Sequence, residues 1–223
     1  MKKAGTSERQ KNRILIVDDH PIVRKGLAQL IDQEPDLVVA GEAEDADGAL
    51  EFLKRDMPDL AIVDISLQGV DGIELIKKMK ARYPDLPVLV VSMHDESLFA
   101  ERALRVGAKG YIMKQEAIGK MMEAIRKVLK GELYLSERVS ENIVKKFISG
   151  RTEGLQSPIE VLSDRELEVF QLIGQGLGTR RIADQLHVSV KTVETYRANI
   201  KQKMHLKDGI ELLKHAVQWA EGA

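Results

Sequence analysis

The chain has 223 residues, 43% of them hydrophobic and 31% charged, an ordinary composition for a globular protein of one large or two small domains. Its formal net charge is -1, so any nucleic-acid surface has to be local rather than global. There is no cysteine, which excludes disulfides, thiolate zinc sites and cysteine nucleophiles and is compatible with a reducing compartment.

The opening MKKAGTSERQKNR carries lysines but no apolar run behind them, unlike a signal peptide, and residues 1–12 are expected as a disordered tail. No apolar run approaches the ~20 residues needed to span a bilayer, so the expectation is a cytoplasmic protein with no membrane partner. Ile14–Val17, Val38–Ala40, Leu60–Val63, Val88–Val91 and Tyr111–Met113 are short continuous apolar runs. Runs of this length read as strands buried on both faces of a parallel sheet. Helical spacing falls between and after them, at about Ile22–Gln33, Ala46–Lys54, Ile73–Ala81, Leu98–Arg105 and Ala117–Leu129. Five alternations of strand and helix predict a doubly wound α/β domain over residues 13–131.

Residues 132–160 are expected as a linker region, partly helical, because SGRTEGLQSP at 149–158 is rich in glycine and serine and nearly devoid of apolar residues. From residue 161 to 223 apolar residues recur only at helical spacing, which predicts a small all-α domain of four helices. Ser163 followed by Glu166 is a capping box that starts its first helix. Glycines 174, 176 and 178 interrupt the pattern and Thr179 restarts it. After a turn at His187-Val188-Ser189, a longer helix runs from Val190 to Met204. Helix, short turn, helix is the arrangement whose second helix enters the major groove of DNA. Between Thr179 and Met204 six basic residues face two acidic ones, a local net of +4 that suits phosphate contacts. A solvated basic face on a simple packing module is the bland alternative. A last amphipathic helix carries Ile210, Leu212, Leu213, Ala216 and Val217. Trp219, the only tryptophan, packs either on its own domain's core or on a mate.

The polar residues of the first domain fall at a telling place. Asp18, Asp19, Asp64, Ser92 and Lys114 each stand at the C-terminal end of an expected strand, the edge at which open α/β sheets bind ligands. Three crowded carboxylates repel one another, and a hard divalent cation such as Mg²⁺ relieves that cost through oxygen ligands. Lys114 adds a fixed positive charge and Ser92 a hydroxyl. Those groups suit a phosphoryl group, and one of the carboxylates can attack phosphorus to become an acyl phosphate.

The Asp18-Asp19, Asp64, Ser92 and Lys114 set, with DDHPIVRKGL and GAKGYIMK, resembles the receiver domain of response regulators of the NarL/FixJ subgroup from about Arg13 to Lys130. The resemblance implies Asp64 as phosphoacceptor. It implies Asp18 and Asp19 as metal carboxylates, joined by the backbone carbonyl of Ser66, and Tyr111 as an aromatic switch paired with Ser92. Ser66 and His94 match the positions that flank the hydrolytic water in receivers and tune dephosphorylation, although His94 also reads as a plain loop residue.

LSDRELEVFQLIGQGLGTRRIADQLHVSVKTVETYRANIKQKM resembles the LuxR-type DNA-binding domain along its length. By that resemblance Glu194, Thr195 and Ala198 face bases, while Arg180, Lys191, Thr192, Arg197, Lys201 and Lys203 complete the double-stranded DNA contact. Ile210, Leu213 and Val217 would form the dimer contact. The family often has Lys at position 194 and His at 196, where this chain has Glu194 and Tyr196, so no operator is carried over. A glutamate there accepts from a cytosine amino group. Together the two resemblances imply a two-component transcription regulator, phosphorylated by a sensor histidine kinase and homodimeric when phosphorylated. It would catalyse nothing beyond its own phosphorylation and dephosphorylation. A phosphotransfer intermediate and a phosphorylation-independent DNA-binding protein are the alternatives.

Overall fold

The computed structural model describes residues 11–67, 71–148, 159 and 161–222. Residues 1–10 of the expected tail and the linker stretch 149–158 lie outside the described residues. The chain divides into two compact units, Met1–Lys145 and Lys146–Ala223.

The first unit alternates β1 (Asn12–Val17), α1 (Pro21–Asp32), β2 (Leu37–Ala43), α2 (Ala46–Arg55), β3 (Leu60–Val63), α3 (Gly72–Arg82), β4 (Val88–Ser92), α4 (Glu96–Arg105), β5 (Gly110–Met113) and α5 (Ala117–Leu129). β1 thus opens at Asn12, inside the expected tail. The five strands pair in parallel in the order β2-β1-β3-β4-β5. Residues 14–17 and 60–63 are buried without exception, as expected of strands covered on both faces. Ile14, Ile16, Ile62, Leu89, Val91 and Ile112 pack against Leu27 and Ile31 of α1 and Met121, Ile125 and Val128 of α5. Strand alternation sends Leu15, Val17, Ala61, Val63 and Tyr111 to the opposite face.

Short polar caps set the helix starts. The Asp45 carboxylate accepts from Gly48 N at the head of α2, and Asp71 from Ile73 N at the head of α3. Asp95 accepts from Ser97 N at 2.8 Å, so α4 begins at Glu96, two residues before the expected start.

After α5 the chain returns along the outer edge of β5. Tyr134 bridges Gly110, its carbonyl accepts from Tyr111 N at 2.9 Å, and its own N–H donates to the Lys109 carbonyl at 3.0 Å. This covers part of an otherwise open sheet edge. The next helix, α6 (Glu137–Ile148), is tied back to α4 through the Ser136 hydroxyl, 2.5 Å from Glu96 Oε1.

The second unit is helical: α7 (Asp164–Gly174), α8 (Thr179–Gln185), α9 (Val190–Lys203) and α10 (Gly209–Gly222). The Ser163–Glu166 capping box forms in both directions. A Cβ on Gly174 would lie 2.5 Å from the Ala216 carbonyl, so α7 and α10 approach as closely as they do only because position 174 has no side chain. Trp219 packs on Phe170 of α7 with ring centroids 5.7 Å apart, the own-core placement of the two weighed for it.

Candidate functional site

The strand order reverses at β1, which has β2 on one side and β3 on the other. The loops leaving β1 and β3 diverge there and open a crevice at the carboxyl ends of the strands. Asp18 and Asp19 follow β1 and Asp64 follows β3, so all three carboxylates meet at that crevice. Asp18 and Asp64 are each only 2% exposed. The close approach of α3 narrows the site from behind: a Cβ on Gly72 would fall 2.1 Å from the Asp64 carbonyl.

Lys114, just beyond β5, reaches across the sheet end. Its Nζ is 2.7 Å from Asp18 Oδ2 and 2.7 Å from Asp64 Oδ2. Burial holds the Asp64 carboxyl above its ordinary value, and the Lys114 ammonium only partly offsets this. Burial works against the Lys114 ammonium as well, but Asp64 and Asp18 outweigh it and keep the amine charged. Ser66 N donates to Asp64 Oδ1 at 3.1 Å, and His20 N donates to Asp18 Oδ1 at 2.8 Å.

The chemistry of this donor set fits a hard divalent ion. Ligand atoms of Asp18, Asp19, His20 and Asp64 all lie within 4.8 Å of one another. Asp19 Oδ1 is buried and makes no hydrogen bond among the described residues. A buried carboxylate oxygen without a hydrogen-bond partner is costly unless a cation satisfies it.

Ser92, the last residue of β4, is fully buried, and its hydroxyl accepts from His94 N at 3.2 Å. Tyr111 is 1% exposed and its hydroxyl donates to the His94 carbonyl at 3.0 Å. Burial raises the phenol well above its ordinary value, against a hydrogen bond with Ser92. Ser66 and His94, read separately from the sequence, meet: Ser66 Oγ is 2.7 Å from His94 Nε2, and the imidazole lies 4.7 Å from the Phe99 ring of α4. One continuous set of contacts thus joins the Asp64 loop to α4 and β5.

Sequence reasoning missed two residues here. Arg24 of α1 donates to the Asp18 carbonyl at 2.5 Å and to Glu42 at 3.2 Å, clamping the turn that carries the acidic pair. His20 brings Nδ1 to 2.7 Å from Asp19 Oδ1. Its place directly after Asp18-Asp19 was the available signal.

In the second unit, Lys191, Glu194, Thr195 and Ala198 are exposed on one face of α9, while Val193 and Ile200 are buried on the other. Arg180 is exposed on α8; Arg197 and Lys201 are half-buried. Thr192 is engaged in the helix cap, its N–H donating to Ser189 Oγ at 3.1 Å. Lys203 is exposed but reaches back to α7: its Nζ is 2.6 Å from Oε2 of the buried Glu166. Burial pushes that carboxyl up, but hydrogen bonds from Lys203 and Ser163 outweigh it and leave it below its ordinary value. Lys203→Ala is therefore expected to lower the stability of this unit by about 1–3 kcal/mol, the cost of an abandoned buried acceptor. It should leave the salt dependence of DNA binding nearly unchanged. Lys191→Ala should do the reverse, flattening the salt slope by roughly one unit. Thermal melts and salt-titrated binding check both, and a Lys203→Ala protein as stable as wild type with a flattened slope would return Lys203 to the phosphate contacts. On α10, Ile210 is 79% and Leu213 46% exposed, with Val217 half-buried.

Comparison with known proteins agrees with both halves. Residues 14–126 match the family described as response regulator receiver domain, and residues 160–216 match the bacterial regulatory proteins of the luxR family. The oxygen regulatory protein NreC of Staphylococcus carnosus is 34% identical over 210 residues, covering 92% of this chain and 97% of NreC. RcsB of Salmonella enterica serovar Typhimurium, bound to promoter rprA in the presence of phosphomimetic BeF3-, superimposes with a TM-score of 0.60 at 28% identity, covering 93% of this chain and 99% of RcsB. A structure of two RcsB dimers bound to two parallel DNAs gives 0.57 at 29% identity, covering 92% and 97%.

Proposed function

The chain belongs to the response regulators that join a receiver domain to a LuxR-type DNA-binding domain, and from that premise we propose that it is a transcription regulator switched by phosphorylation of Asp64. The observation that carries this reading is the buried Asp64 carboxylate, shared by Lys114 with Asp18 at 2.7 Å and flanked by the unsatisfied Asp19 oxygen.

One Asp64 oxygen attacks the phosphorus of a phosphohistidine on a sensor kinase. The O–P bond forms as the N–P bond breaks, and the imidazole leaves. Asp18, Asp19 and the Ser66 backbone carbonyl would hold Mg²⁺, which when bound neutralises phosphoryl oxygens as charge redistributes. Lys114 gives up part of its pairing with Asp64 to the incoming phosphoryl group, and Ser92 supplies a hydroxyl donor. Ser66 and His94 stand over the route of a hydrolytic water and set the lifetime of the acyl phosphate.

The phosphoryl group adds about -1.5 to -2 charges at pH 7. Drawing Ser92 toward them disturbs the His94 N–H···Ser92 contact and, through the His94 carbonyl, the Tyr111 hydroxyl. Tyr111 is bonded through its own N–H to Tyr134, so the change reaches both α4 and the segment leading to α6.

The second unit reads double-stranded DNA with α9, with Glu194, Thr195 and Ala198 toward bases and Lys191, Arg197, Lys201 and Arg180 toward phosphates. Ile210, Leu213 and Val217 supply the apolar contact of a homodimer, whose two recognition helices meet half-sites about 10 bp apart. The DNA-reading half has no task in a phosphotransfer intermediate, and the intact pocket none in a phosphorylation-independent binder. A DNA target and a kinase partner support a cytoplasmic location. No described helix is long and apolar enough to cross a membrane.

Footprinting with and without acetyl phosphate, alongside sedimentation, tests the switch. The expected result is a two-half-site footprint that tightens as the dimer forms. A monomer protecting one half-site equally in both states would sink it.

A further inference from the structure

The peptide that joins Asp18 to Asp19 is held by a side chain from another element. β1 ends at Val17, so the Asp18 carbonyl lies beyond the strand, and the Arg24 guanidinium of α1 donates to it at 2.5 Å. A peptide unit is planar, so the direction of that carbonyl also fixes the Asp19 N–H and thus how the two acidic side chains diverge. Asp18 has three other ties: its N–H donates to the Ala43 carbonyl at 3.1 Å, its Oδ1 accepts from His20 N at 2.8 Å, and its Oδ2 is 2.7 Å from Lys114 Nζ. None of these touches the carbonyl. Arg24 is itself anchored at a second point. Its Nε donates to Glu42 Oε2 at 3.2 Å, and Glu42 lies on β2 in register with Ile16 of β1. A guanidinium is a rigid planar fork, so two fixed acceptors fix the direction in which it meets the carbonyl. Its charge alone would be a liability here, because a positive group one peptide away from metal carboxylates repels the cation they bind. Glu42 offsets that charge and leaves the directional hold.

We propose that Arg24 is a positioning residue of the acidic pocket, which by holding the Asp18 carbonyl against Glu42 sets the angle between the Asp18 and Asp19 carboxylates and with it the affinity for Mg²⁺. The inference rests on reading the pocket as the Mg²⁺ and phosphoacceptor site. Arg24 touches neither the ion nor the phosphoryl group. It acts through the backbone, as outer groups that orient ligands do in metal sites. Charge and position predict opposite signs. If Arg24 acted only as a charge, its removal would tighten Mg²⁺ binding; as a positioning group, its removal weakens it. A plain strut between α1 and β2 would alter the melting temperature and leave Mg²⁺ affinity alone.

The test uses the full-length protein with Arg24→Met, which keeps most of the stem and loses both fork and charge, and Arg24→Lys, which keeps the charge and loses the fork. Calorimetric titration with Mg²⁺ is expected to show affinity lower by at least about tenfold in Arg24→Met. In Arg24→Lys it should fall by at least about threefold, since one ammonium cannot hold the carbonyl and Glu42 in the same fixed directions. With acetyl phosphate as donor, the half-saturating Mg²⁺ concentration should rise by the same factors, while the labelling rate at saturating Mg²⁺ stays within about threefold of wild type. Should Arg24→Met fail to fold, Arg24→Lys alone decides. Mg²⁺ affinity unchanged in Arg24→Lys or tightened in Arg24→Met would overturn the assignment of Arg24 and leave the pocket intact. So would a labelling rate that stays low at saturating Mg²⁺. Failure of the wild-type chain to bind Mg²⁺ would overturn the metal pocket and this inference together.

Discussion

Asp64→Asn is expected to take up no phosphoryl group from acetyl phosphate under conditions in which the wild-type chain is stoichiometrically labelled. The substitution keeps shape and can keep the hydrogen bond from Ser66 N, seen at 3.1 Å, but an amide oxygen is no nucleophile toward phosphorus. Intact-mass analysis reads the result directly, and wild-type labelling should vanish in EDTA. Labelling of the variant at the wild-type rate would move the acceptor to another carboxylate. Labelling that persists in EDTA would remove the metal role of Asp18 and Asp19. The same variant tests the electrostatics. Burial raises the Asp64 carboxyl above its ordinary 3.8, so the native state binds the proton more tightly than the unfolded chain does. Stability is then fully present below the unfolded value and declines as pH rises through the window up to the raised folded value. Asp64→Asn removes that decline, and its melting temperature near neutral pH should equal or exceed that of the wild type.

Much of this pocket was legible because two one-dimensional signals coincide. Each buried strand is an unbroken apolar run, and each run stops at a polar residue. Topology converts that coincidence into convergence, since a parallel sheet aligns all its carboxyl ends. Asp18, Asp64 and Lys114 needed nothing more. The Ser66–His94 contact needed the loops after β3 and β4 to turn toward each other, which no periodicity encodes. Only the resemblance singled out these two residues, and it did not say that they touch. Tyr134 was invisible for a similar reason: a single bridged residue has no alternation, and the clue was Gly110, where a Cβ would lie 3.0 Å from the Tyr134 carbonyl. In the helical half, the capping box and the buried stripe of α7 follow from spacing alone. The fate of Lys203 does not, because charge counting gives every basic residue to solvent. Its partner Glu166 is 37 residues away in sequence and was already counted as a cap. A glutamate that is both N3 of a helix and 3% exposed requires a cation nearby, and that requirement appears only once burial is known.

Lys114→Met should be the most destabilising single change in the receiver unit when no divalent ion is present. Asp18 and Asp64 are each 2% exposed and share this one ammonium at 2.7 Å. Methionine keeps most of the volume, so packing survives while the compensating charge is lost. Removing one member of a buried ion pair costs about 3–5 kcal/mol, and protonation of one carboxyl limits the loss to the lower end near neutral pH. For a domain of this size that corresponds to a melting temperature lower by on the order of 10 °C. Two responses separate this cause from a packing defect. Mg²⁺ should restore more stability to the variant than it adds to wild type, because the ion replaces a missing charge and binds the native state alone. Lowering the pH toward 5 should also help the variant more, since its Asp64 carboxyl, with Lys114 gone, is held still higher and gains its proton sooner. Differential scanning calorimetry across pH, with and without Mg²⁺, reads both. A variant that melts with the wild type in EDTA, or whose loss is indifferent to pH and Mg²⁺, would mean that the two aspartates are not held by Lys114 at all.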